Sequence, residues 1–305
     1  MLKYILKRIG IGALTLLALV VITFFLVHLM PGNPFDIANL TPSNQEEMMR
    51  FYGLDKPVGE QLFLYIRNLL KGDFGISFKK SGTTVAEIIV QKAPATVRIG
   101  GIAFLLAVIL GTAIGIWMAV TKKESVRGSI LTFSTIGISV PNYVLALLLM
   151  LVFGVKLRWF PVLGLATPLH YVLPVVTLAV YPLAQISRLV KSSYAEALEQ
   201  DYVILATAKG IRKSRITLLH VMKNAMIPVI TTAGPMAAFL LTGSFVVETI
   251  FTIPGIGREF VTAVGNRDYT VVMGLTIFIG SLIIVCNLVA DLLCAFVDPR
   301  MKLTE

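Results

Sequence analysis

The chain has 305 residues, 56% of them hydrophobic and only 14% charged, with a mean hydropathy of +0.83. A soluble domain carries nearly twice that charged fraction, so the composition excludes an ordinary soluble protein and points to several membrane spans. The net charge of +10 fits basic cytoplasmic loops and not a nucleic-acid-binding surface.

In chain order, the first element is Ile9–Met30, 22 residues without Lys, Arg, Asp or Glu. That exceeds the ~7–15 apolar residues of a secretory signal, and no Ala-x-Ala cleavage site follows. Residues 1–30 are therefore read as a retained transmembrane helix. Residues 31–98 form a long external loop with eight basic and seven acidic residues. Its helical pattern from Gln61 to Leu70, after a Pro and before a Gly, predicts a small helical lobe. Residues 99–305 are read as a five-helix core. Its uncharged runs are Ile99–Thr121, Gly128–Val155, Trp159–Ser187, Asn224–Val247 and Tyr269–Ala290, the third becoming helical near Tyr171. The expectation is an all-α integral membrane protein of six transmembrane helices, with both termini on one side.

Charge assigns the side. Lys3, Lys7 and Arg8, then Lys122, Lys123 and Arg127, then seven basic residues from Arg188 to Lys223, then Arg300 and Lys302 share one face. The short loops opposite hold only Lys156, Arg158, Arg258 and Arg267. Basic loops stay in the cytoplasm, so both termini are cytoplasmic.

Pro141, Pro182 and Pro235 lie within spans and should kink them, freeing carbonyls that need protein or a water-filled cavity beside them. Gly111 and Gly115 form a G-x-x-x-G pair suited to close helix contact. Ionisable groups within spans are few. Asp291, one turn beyond Asn287 on the last helix, is expected near the cytoplasmic interface, hydrogen-bonded to a neighbour. Glu248, at the outer end of the fifth helix, is expected within reach of water, as a rim residue or at the external mouth of a pathway. Cys286 and Cys294 are about 12 Å apart on one helix, too far for a disulfide. There is no metal-ligand cluster, no carboxylate relay of the kind a self-contained secondary transporter needs, no nucleophile with a positioned base, and no G-x-x-x-x-G-K-[ST] phosphate loop. Energy, if used, must arrive through another chain.

The cytoplasmic loop at about 188–224 carries the most local information. Ser193 and Glu196 fit a capping box; Glu196, Glu199 and Asp201 suit the positive end of a helix. Lys209 and Gly210 read as its last turn and left-handed stop. Leu198, Tyr202, Leu205 and Ala206 recur at helical spacing as one face, and Ala206 and Ala208 leave a low surface. Such a helix can lie on lipid headgroups or plug into a partner's groove.

DYVILATAKG (Asp201–Gly210) followed by HVMKNAMIP (His220–Pro228) resembles the EAA loop of ABC-importer permeases in the form of the oligopeptide/dipeptide/nickel subfamily. The general pattern's Glu would fall at Ile204 and its proline at Lys223, departures that the subfamily variant shares. LTGSFVVETIFTIPGIGREFVTAVGNRDYTVVMG and NLVADLL…DPRMK resemble the subfamily's C-terminal half, and LKYILKRI…PGNP and GLDKPVGEQLFLYIRNLLKGDFGISF resemble its B-type permeases, so the resemblance covers nearly the whole length. The resemblance implies the type I importer permease fold in a bacterial or archaeal plasma membrane. It implies a second homologous permease, forming a heterodimer, two cytosolic P-loop ATPases that use ATP and Mg, and an extracytoplasmic binding protein. The chain itself would bind no cofactor, perform no covalent chemistry and carry peptides, with nickel complexes or glycosides as the alternative cargo. It assigns ATPase coupling to the loop residues Glu199, Asp201, Tyr202, Leu205, Ala206, Ala208, Lys209, Gly210, Asn224 and Pro228, and favours partner docking over the lipid surface.

Overall fold

The computed structural model describes residues 2–30 and 42–297. The PGNP stretch and the DPRMK stretch used above lie outside the described residues. Described elements are helical apart from one isolated bridge between Ile76 and Thr84. Helix α1 (Leu2–His28) is followed by two external helices, α2 (Pro42–Phe51) and α3 (Val58–Leu69). Then comes α4 (Val85–Val120), 36 residues long. A broken pair follows, α5 (Glu124–Ser139) and α6 (Asn142–Leu149), with α6 continuing as a π-turn through Lys156. After a short 3-10 turn, α7 (Val172–Leu198) returns to the cytoplasmic side, where α8 (Asp201–Ala208) and the single turn α9 (Lys213–Arg215) lie. Helix α10 (Met222–Leu241) recrosses to α11 (Phe245–Ile250) and α12 (Ile256–Gly265), and α13 (Tyr269–Val297) completes the described chain.

Five of these stretches are long and apolar enough to cross a membrane, and the α5–α6 pair makes a sixth if counted as one bent span. Two boundaries differ from the sequence expectation. Helix α4 starts at Val85, not Ile99, because Thr84 and Glu87 form a capping box that holds its first turn. The third span is not straight: α5 and α6 meet at 104° across Val140–Pro141. Pro141 has no amide to continue the first helix and its ring disfavours helical geometry just before it.

Packing centres on α4 against α7. Ile99, Ala103, Ala107, Gly111 and Gly115, each four residues apart, are buried along one stripe of α4. A Cβ at Gly115 would lie 2.7 Å from the Ser187 carbonyl oxygen and one at Gly111 3.0 Å from that of Leu183. The G-x-x-x-G pair is thus the lower end of a small-residue seam that lets two backbones touch. The external lobe is fastened to this bundle: His28 Nε2 pairs with Gln61 Oε1 at 2.9 Å, and Lys80 pairs with Glu259.

Candidate functional site

The cytoplasmic hairpin is built on the end of α7. Ser193 does not start a helix; α7 runs through it to Leu198, because Val190, Tyr194 and Ala197 continue its buried face. Glu199 caps the C-terminus of α7, Gln200 stands at the N-cap of α8 without a side-chain bond, and only Asp201 occupies the first turn. The stop is as expected. Gly210 has φ of +71°, its amide donates to the Thr207 carbonyl at 2.9 Å, and that of Ile211 donates to Ala206 at 3.2 Å. These two bonds are a Schellman cap.

The expected single face Leu198–Tyr202–Leu205–Ala206 divides in the structure. Ala206 is buried with Val203 and Ile211 in a small core shared with Tyr194, Ile216, Val221 and Ala225. Tyr202 folds back, its hydroxyl donating to the Ala197 carbonyl at 3.2 Å. Leu205 is 57% exposed and Ile204 64%. With Asp201 and Ala208 they form the i, i+3, i+4, i+7 face that points away from the protein. Lys209 is also exposed. Asn224 is exposed and donates to the His220 carbonyl at 3.1 Å. Pro228, inside α10, leaves the Asn224 carbonyl without its helical donor. One small core therefore joins the ends of α7, α8 and α10, while α8 turns an apolar face to the cytoplasm.

Between α5–α6, α7 and α10 lies a cavity of about 590 Å³. Pro141, Pro182 and Pro235 all line it, as do Ser139, Asn142, Tyr181, Gln185 and Thr232. Gln185 also borders a second cavity of about 560 Å³, lined by Leu131, Arg188, Leu189, Lys191 and Ser192. Tyr181, Gln185, Arg188 and Ser192 are spaced as one face of α7, so a polar stripe descends the helix from the first cavity into the second. The sequence reading does not single out Gln185, Asn142 or Thr232, although a glutamine inside an apolar run is a legible signal.

Glu248 corrects an expectation. It is 4% exposed, sealed inside a knot of backbone and not at the reach of water. Thr96 donates to its Oε1 at 2.8 Å and the Arg258 amide to its Oε2 at 2.8 Å; the Gly257 amide also bonds it. Thr96 in turn accepts the Ile256 amide at 2.8 Å. The first amides of α12 are thereby satisfied by a carboxylate and a hydroxyl. Room for the carboxylate comes from missing side chains: a Cβ at Gly243, whose φ is +93°, would lie 2.6 Å from Oε1.

Asp268, another acid the sequence reading passes over, is 3% exposed. It accepts from the Phe78 amide at 3.1 Å, the Lys79 amide at 3.3 Å and the Thr270 hydroxyl at 3.2 Å, and also from Ser77. The external loop is so pinned to the start of α13. Tyr52, whose hydroxyl donates to the Ser77 carbonyl at 3.2 Å, has its phenol pushed up by burial and then by the Asp268 carboxylate. Asp291 is bonded to Arg8 of α1 at 2.9 Å. Asn287 keeps a buried Oδ1 without a partner among the described residues, at the seam where α13 meets Gly234 of α10.

Comparison with known proteins places this arrangement. Residues 111–303 match the family described as binding-protein-dependent transport system inner membrane component, and residues 1–100 match its N-terminal membrane-component family. The dipeptide transport system permease protein DppB of Lactococcus lactis subsp. cremoris is 41% identical over 99% of this chain and 100% of its own length. The oligopeptide transport system permease protein OppB of Salmonella typhimurium is 37% identical over 99% of this chain and 100% of its own. Among solved structures, a chain of the MetNI methionine ABC transporter in an inward-facing conformation superposes with a TM-score of 0.54. Its identity is 15%, over 69% of this chain and 96% of that one, a likeness of fold.

Proposed function

From the premise that this chain belongs to the family of binding-protein-dependent transport system inner membrane components and is a transmembrane permease subunit of an ABC importer, we propose that its cargo is peptide. The dipeptide and oligopeptide permeases that match it end to end support that cargo, and the bacterial sources of these relatives support a bacterial plasma membrane. In this reading a second homologous permease completes the pathway, a binding protein delivers peptide outside, and two cytosolic ATPases supply the energy. The observation that carries the coupling role is the split of α8 into a bolted face and a bare one. Ile204, Leu205 and Ala208 enter a groove on an ATPase, as an amphipathic helix does. When ATP draws the ATPases together, the shared core at Ala206, Tyr194 and Ala225 carries the displacement to α7 and α10. Those two helices wall the cavity, so a rigid-body shift of the hairpin changes its access.

The test is Leu205→Asp in the complex of two permeases, ATPases and receptor. Loss of an apolar anchor from a helix-in-groove contact costs about 2 kcal/mol, roughly 30-fold in affinity. Peptide uptake should fall by that order, with ATPase subunits lost on purification. Unaltered uptake with a full ATPase complement would refute docking through α8.

A further inference from the structure

Two cavities meet at one neutral side chain. Gln185 borders both the membrane cavity between α5–α6, α7 and α10 and the basic cavity nearer the cytoplasm. Neither its amide nor that of Asn142, on the wall of the first cavity, has a hydrogen-bond partner among the described residues. Thr232 donates to the Pro228 carbonyl at 2.7 Å and keeps its acceptor lone pairs. Apart from Tyr181, no lining residue of the first cavity is ionisable. Three proline interruptions of α-helix converge on it, as expected where broken backbone borders a cavity within a membrane.

We propose that Gln185, with Asn142 and Thr232, holds the main chain of a peptide in transit, so that the permease reads the backbone and is indifferent to side-chain charge. The inference rests on the peptide-permease reading above and adds how cargo is recognised inside the membrane. A carboxamide offers two donors and an acceptor, and a peptide offers one donor and one acceptor at each non-proline residue. A fixed charge in this wall would disfavour every side chain of its own sign, since like charges brought together in a desolvated site repel strongly. A neutral amide avoids that discrimination and still satisfies the otherwise unpaired main-chain groups of an extended chain. Below Gln185, Arg188 and Lys191 line the second cavity; Arg188 is exposed and Lys191 partly so on the basic cytoplasmic side, where water and salt screen their charge.

The experiment uses the assembled complex in proteoliposomes and three peptides of one length that differ at a single residue: Ala, Lys or Glu. The wild type should import all three at similar rates. Gln185→Lys should lower uptake of the Lys peptide relative to the Glu peptide at least about tenfold, and Gln185→Glu should reverse the ratio. Wild-type ratios in both variants overturn the inference. Failure of the wild type to import any peptide overturns instead the function on which it rests. A second measurement covers variants that assemble poorly: Gln185→Cys, made with Cys286→Ala and Cys294→Ala. In the assembled complex a hydrophilic thiol reagent should label position 185, and peptide with ATP should slow the labelling. No labelling would mean that lipid or the second permease fills the cavity, and labelling indifferent to peptide would mean water alone does; either result overturns the inference.

Discussion

The two poles of the molecule are held together by different physics. At the outer pole, Glu248 and Asp268, both nearly inaccessible to solvent, gather amides and hydroxyls from segments far apart in sequence. Thr96 is 152 positions from Glu248, and Phe78 is 190 from Asp268. At the inner pole α8 is attached through alanine, valine and isoleucine, one phenol hydrogen bond and a backbone cap. A buried carboxylate with several donors has directional bonds and a large cost of disturbance, so it fixes segments in register. A small apolar core is non-directional and holds a helix while tolerating a tilt. The coupling proposed above uses both: an outer pole that keeps its shape, and an inner surface that is pushed.

That contrast can be broken most severely at Glu248. Glu248→Leu leaves the buried Gly257 amide and Thr96 hydroxyl and the partly buried Arg258 amide without their acceptor. At about 1–3 kcal/mol for each orphaned group, the loss should exceed roughly 3 kcal/mol, read as a lower thermal or denaturant midpoint of the purified protein. A midpoint within error of wild type would show that the knot does not fix the outer pole. Asp268→Ala comes next. Its amide donors at Phe78 and Lys79 are partly buried and can turn to water, which leaves the buried Ser77 hydroxyl as the main orphan; about 1–3 kcal/mol is expected for that group. Hydrogen exchange should accelerate at Phe78 and Lys79 and stay unchanged at Ala206 and Ile211, and equal acceleration at both poles would contradict their independence.

Gly210→Val tests the inner pole. No atom lies within 4 Å of a Cβ at this position, so the whole penalty is the left-handed backbone, about 1–2 kcal/mol for a residue with a side chain. The expected outcome is loss of peptide-stimulated ATP hydrolysis and uptake, with global stability lowered by no more than about 1–2 kcal/mol. A fall in stability as large as that of Glu248→Leu would mean the hairpin is structural cement and not a handle.

The same contrast explains what could be read from the sequence. Spans were legible because apolar length is a local property, and the Gly210 stop because a left-handed cap needs a particular residue. The start of the hairpin helix was not. Ser193–Glu196 and Thr84–Glu87 are equally good S/T-x-x-E patterns, yet only the second caps a helix; at the first, the buried face of α7 carries through Tyr194 and Ala197. Likewise Pro141 announces an interruption but not a 104° bend, which depends on what packs beside it. The burial of Glu248 was hidden for a related reason. Its donors come from α4 and from beyond a glycine turn, and no window along the chain contains them all.

The smallest effect is expected at Asp291, and it isolates the variable that matters. Its bond to Arg8 is well formed at 2.9 Å, but the two side chains are 27% and 44% exposed. Exposed ion pairs contribute about 0–1 kcal/mol, since water and salt replace much of the attraction. Asp291→Asn preserves size and can still accept from Arg8, so stability should fall by less than about 1 kcal/mol and the midpoint should become less sensitive to salt. Glu248 and Asp291 are both acids near the end of a span with a well-placed donor. If Asp291→Asn cost as much as Glu248→Leu, charge would be the common cause. If it costs a small fraction, the weight falls on burial and on donors that have nowhere else to go.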